Sequence, residues 1–138
     1  MGLRILFTSL LVVTTVTIHS IGLALILSLL WKRPPRRNPR LWRITWLVVR
    51  IISCLLVVHL LEIALWGLFF WWQKCFPDAH SSFYFSGVTY TTIGYGDVVL
   101  PKEWQMFGPL EGQVGILMCG ASTAFLFAAL STRYIRHY

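Results

Sequence analysis

The sequence predicts an all-α membrane protein: three membrane-spanning helices and one shorter helix that dips into the bilayer and returns. Three observations carry this. The 138 residues are 57% hydrophobic and only 12% charged, about half the charged fraction usual for a soluble domain. Segments 3–30, 44–70 and 106–131 each reach the roughly 20 apolar residues needed to cross hydrocarbon, and a chain this small has too little interior to hide three such runs from water. A further stretch, 79–91, is too apolar for a solvated loop. It is also too short to cross a bilayer at about 1.5 Å per residue.

In chain order, residues 1–31 form the first span. Its apolar stretch exceeds the roughly 7–15 residues of a secretory signal and ends in a basic cluster without a small-residue cleavage site, so it is read as a retained helix. Residues 32–43 form a basic loop broken by Pro34, Pro35 and Pro39. Six of the twelve basic residues lie there: Lys32, Arg33, Arg36, Arg37, Arg40 and Arg43. The net charge of +7 is thus placed as a cytoplasmic loop places it, and nucleic acid is not an expected partner. The same rule puts the N-terminus outside and the short tail 132–138, with Arg133, Arg136 and His137, inside. A multi-pass protein of a plasma membrane, or of an inner membrane in a bacterium, is expected. The basic segment Lys32–Arg43 is also a place where anionic lipid could bind, at about 1 kcal/mol per basic group.

Residues 44–131 form the second unit. Its outer helix, 44–70, is flanked by Trp42 and Trp46 at one end and Trp66, Trp71 and Trp72 at the other, as interfacial aromatic belts are. Asp78, following Pro77, is a plausible N-cap for the short helix 79–91. Residues 92–97 follow as a loop, and the last span covers 106–131, with Pro109 at its first helical position and Glu111 complementing the positive helix end or helping to hold the loop.

The loop reads Thr91-Thr92-Ile93-Gly94-Tyr95-Gly96-Asp97. This resembles the potassium-channel signature over its whole length, and residues 80–131 look like the pore module of the two-transmembrane ion-channel family. The resemblance implies a pore helix, a selectivity filter and an inner helix assembled as a homotetramer. Four filter loops would replace the hydration shell of the ion with carbonyl oxygens. Potassium ions would then sit at Thr92, Ile93, Gly94 and Tyr95, and no organic cofactor is expected. Gly94 and Gly96 adopt φ > 0 cheaply, as a row of like-pointing carbonyls requires. Ile93 and Tyr95 are expected to turn off axis and pack on Tyr84 and Phe85, with Val88 completing the support. The chain lacks the Arg repeat of a voltage sensor and is expected to have no cytoplasmic sensing domain, and the first helix has no assigned role. A weakly selective cation channel and a non-conducting accessory subunit are the alternatives.

Other residues are weighed against this frame. No HExxH, serine-elbow, CxxC or phosphate-loop pattern occurs, and no enzyme is expected. Cys54, Cys75 and Cys119 have no metal-ligand spacing and are expected as free thiols. Gly115 and Gly120 are hinge candidates for the inner helix, or else points of close helix approach. His80 is read as an exposed turn histidine, with sensing of external pH as the alternative. His19, Thr14, Thr15 and Thr17 are read as packing or backbone-satisfying groups. Glu62, an acid deep within an apolar span, lies three residues after His59, so the two share a helix face. It is expected to face the pore loop and accept hydrogen bonds from His59, Ser86 or Thr89. Structural anchoring is preferred to proton sensing as its role.

Overall fold

The computed structural model describes residues 2–32 and 41–132. Arg33, Arg36, Arg37 and Arg40 of the basic loop, and Arg133, Arg136 and His137 of the tail, lie outside the described residues. Four α-helices make up the described chain: α1 (Gly2–Trp31), α2 (Leu41–Trp72), α3 (Ala79–Tyr90) and α4 (Phe107–Leu130), with a single 3-10 turn at Lys102–Trp104 ahead of α4. Helices α1, α2 and α4 are long and apolar enough to cross a membrane. At 12 residues, α3 is about 18 Å long, well short of a hydrocarbon core of roughly 30 Å.

The boundaries differ from the sequence reading where helix-forming residues extend a span. Leu41, Trp42 and Arg43, expected in the basic loop, form the first turn of α2. Helix α4 begins at Phe107, so Pro109 is its third residue rather than its first. It is still tolerated there, because the first-turn N–H groups have no helical acceptor.

Packing is organised around α3, which lies against α2 and α4, while α1 rests on α2 and α4 from behind. Trp66, Phe69, Phe70, Phe76, Phe85 and Phe107 form an aromatic core that joins the C-terminal end of α2 to α3 and to the start of α4. Phe85 meets Phe70 edge-on at 5.3 Å and Phe76 at 5.2 Å between centroids, a favoured aromatic geometry. Tyr90, Val114 and Met118 fill the middle, and Ile26, Ile51 and Leu55 close the opposite end between α1 and α2. Helices α1 and α2 come very close at Gly22, where a Cβ would lie 2.5 Å from Val58 Cγ2. Leu56, Val57, Leu60, Leu61 and Leu68 of α2 are exposed, as side chains that face lipid would be.

Candidate functional site

The site grows from the two ends of α3. At its start, the Asp78 carboxylate accepts the Ser81 backbone N–H at 2.7 Å and the Ser81 hydroxyl at 2.9 Å. These bonds hold its pKa below the ordinary carboxylate value. At its end, Thr91 caps the helix and its hydroxyl donates to the Gly87 carbonyl at 2.7 Å. The chain then turns back on the helix terminus: Thr92 N–H donates to Thr89 O (2.9 Å), and the Ile93 and Gly94 N–H groups share Val88 O (2.9 and 3.1 Å). Val88 therefore contributes through its carbonyl.

Through this loop φ alternates in sign. Thr92, Gly94 and Gly96 have φ of 62°, 56° and 77°, while Ile93 and Tyr95 stay on the negative side. A strand of uniform φ sign points successive carbonyls to opposite sides. Reversing the sign at every second residue turns the alternate peptides over, so that a run of carbonyls faces one way. Glycine accepts this freely, whereas Thr92 does so at a cost of about 1–2 kcal/mol, offset by the bonds that hold residues 92–94 to α3. At the far end of the loop, Tyr84 donates to Asp97 Oδ2 at 2.7 Å and Val98 N–H to Asp97 Oδ1 at 3.1 Å.

In the single chain Ile93 and Tyr95 are 56% and 69% exposed. Phe85 is committed to the aromatic core and Tyr84 to Asp97.

Behind α3, Ser86 Oγ lies 2.5 Å from Glu111 Oε1 and 2.8 Å from the Ile63 carbonyl oxygen. Glu111, expected at the mouth of the helix, is fully buried, as is Glu62. Gly115 packs directly on the end of α3, where a Cβ would collide with the Tyr90 carbonyl oxygen, while a Cβ at Gly120 would meet nothing within 4 Å. Close approach accounts for Gly115, and Gly120 carries no packing constraint.

Glu62 is the centre of a second cluster. His59 Nδ1 lies 3.0 Å from Glu62 Oε2, as expected of the pair. The other partners were not foreseen. His19 of α1 places Nδ1 2.9 Å from Glu62 Oε1, and the Tyr90 hydroxyl donates to Glu62 Oε2. Ser86 and Thr89, the pore-helix partners expected from sequence, take no part: Ser86 serves Glu111 instead. His59 Nε2 and His19 Nε2 converge on Ser122 Oγ of α4, at 3.0 and 3.4 Å. His19 is thus not a mere packing group. Its signal was available, since an ionisable residue inside an apolar span demands a partner; what the sequence lacked was the register of α1 against α2. Thr15, one turn earlier, bonds its own backbone at Leu11 O and also accepts Trp66 Nε1–H at 3.0 Å.

The cysteines are free thiols among the described residues. Cys75 is buried, which pushes its thiol up to about 11, with Glu103 adding to the effect. His80 is exposed and stacks on Tyr84 at 6.5 Å.

A family model described as an ion channel matches residues 58–132, more than half of the chain. The match runs from within α2 through α4 and leaves α1 outside. Comparison with curated proteins and with solved structures gives no match.

Proposed function

The chain belongs to the ion-channel family, a class of membrane proteins and not of enzymes, and from that premise we propose that it is a subunit of a potassium-selective channel whose filter is Thr91–Asp97. The observation that supports this reading is the alternation of φ at Thr92, Gly94 and Gly96, a backbone pattern that would let consecutive carbonyls face one side at the end of a short helix. Potassium is the transported ion. The carbonyls of Thr92, Ile93, Gly94 and Tyr95, with the Thr92 hydroxyl at the inner end, would exchange for its hydration shell. One loop encloses an ion on one side only, so four chains around an axis are required. The exposed Ile93 and Tyr95 would then be covered by the neighbouring subunit.

Potassium moves passively in this scheme, each dehydrated ion displaced by repulsion from the next. The N-terminus lies outside and the tail in the cytoplasm of a plasma membrane, with anionic lipid against the Lys32–Arg43 segment. Purified protein in liposomes under a potassium gradient tests the proposal. Potassium flux with little sodium flux supports it. Equal fluxes of the two ions favour a weakly selective pore, and no flux from this chain alone favours an accessory subunit.

A further inference from the structure

The cluster around Glu62 ties α1, which lies outside the matched family segment, to the filter end of α3, and its hydrogen bonds can be counted. Besides the Tyr90 hydroxyl oxygen, 3.1 Å from His59 Nδ1, the two imidazoles make four contacts: each Nδ1 with a Glu62 oxygen and each Nε2 with Ser122 Oγ. With both histidines neutral and Glu62 ionised, three protons serve these four contacts, one on each ring and one on the Ser122 hydroxyl. The Tyr90 proton is already committed to Glu62. Wherever the three are placed, one lone pair faces another inside a membrane-spanning bundle, where an unsatisfied polar pair is costly. One additional proton completes all four contacts and makes the cluster electrically neutral.

We propose that His19, His59, Glu62 and Ser122 form an intramembrane proton-binding site that couples α1 to Tyr90 and so to the filter. The groups facing it are His19 from α1, His59 and Glu62 from α2, Tyr90 from α3 and Ser122 from α4. Beyond them lie Cys119 of α4 and Glu111, the latter engaged by Ser86. The three metal-donor atoms fall within 4.8 Å of one another, but each Nδ1 is already at hydrogen-bond distance from a Glu62 oxygen. Two neutral imidazoles and one carboxylate around a divalent ion would also leave a net positive charge in apolar surroundings. A proton leaves none.

When the extra proton departs, one of the four contacts fails. Tyr90 is bonded to Glu62 and touches His59 Nδ1 at 3.1 Å, and it immediately precedes the Thr91 cap. The state of the cluster therefore reaches the filter through one residue. The functional half of this inference rests on the channel reading; the proton count does not.

The test uses full-length protein in lipid bilayers. Histidine ring nitrogen shifts and the infrared carboxyl band are followed across pH, and potassium flux is measured alongside. Wild type is expected to hold one more proton than two neutral rings and a carboxylate, and to lose flux as pH rises through that proton's release. Ser122→Ala removes two contacts, leaving two contacts for two ring protons, so the extra proton and the pH dependence of flux should both disappear. His19→Phe should do the same while keeping an aromatic ring at that position. Unchanged spectra and pH response in Ser122→Ala would overturn the proposal. So would stoichiometric zinc binding by wild type that His19→Phe abolishes, since the site would then be a metal site. An extra proton in protein that conducts no potassium would refute the channel reading and leave the proton site standing.

Discussion

Gly115 separates two readings of the inner helix, and the structure supplies the magnitude. Gly115→Ala places a methyl group on the Tyr90 carbonyl oxygen. That obstacle is backbone held at the end of α3, so it cannot rotate aside as a side chain would. Overpacking of this kind costs about 1–3 kcal/mol, and the helix-propensity gain of Gly→Ala, roughly 0.5–1 kcal/mol, offsets only part of it. Gly120→Ala meets no atom within 4 Å and keeps the propensity gain alone. The two variants should therefore differ by about 2 kcal/mol, with Gly115→Ala the less stable. Denaturant unfolding in detergent micelles measures the difference, and potassium flux reports whether the shift of α3 reaches the filter. A hinge role instead predicts altered gating with unchanged stability. Equal stability of the two variants would refute the close-packing account.

Gly94→Ala meets no steric obstacle, so its effect is purely conformational: about 1–2 kcal/mol against the left-handed backbone. Membrane insertion should be normal and selective potassium flux lost; sodium-excluding flux in this variant would contradict the filter assignment. Ser86 has one proton and faces two acceptors, Glu111 Oε1 and Ile63 O. Glu111→Gln, which brings its own N–H, should keep wild-type stability, and Glu111→Ala should lose about 1–3 kcal/mol, as read by thermal unfolding. Asp78 has a folded-state pKa below its ordinary 3.8. Its cap therefore contributes stability above that value and loses it as pH falls through the lower folded value. Wild type should show this acid-side loss and Asp78→Asn, which caps without titrating, should not, with helix content measured by circular dichroism. Cys75, buried and raised to about 11, should react slowly with a thiol reagent at neutral pH and speed up only in strong alkali.

The spans were legible because each is a long apolar run, and α3 because an apolar stretch too short to cross began at an Asp78 cap. The alternation of φ in the loop was half legible: glycine at 94 and 96 announced it, but Thr92 at 62° has no such marker and is held there by bonds to α3. Side-chain partners across helices were the hard part. Glu62 and His59 could be paired because i,i+3 spacing is local. His19 and Ser122 join them only through the rotation of α1 and α4 about their axes, which no single helix encodes. The collar expected around Ile93 and Tyr95 belongs to an assembled ring, and the single chain leaves both exposed.

Every residue from Thr91 to Asp97 is exposed in the single chain, although Thr91 to Gly94 and Asp97 are bonded to α3 of the same subunit. On the proposed four-chain pore, a newly inserted subunit would not leak ions: the permeation route would come into being at association and vanish at dissociation. Conductance would then rise steeply, toward the fourth power of subunit density, when the protein is dilute in the bilayer. Dilution in lipid would act as an off-switch that requires no moving gate.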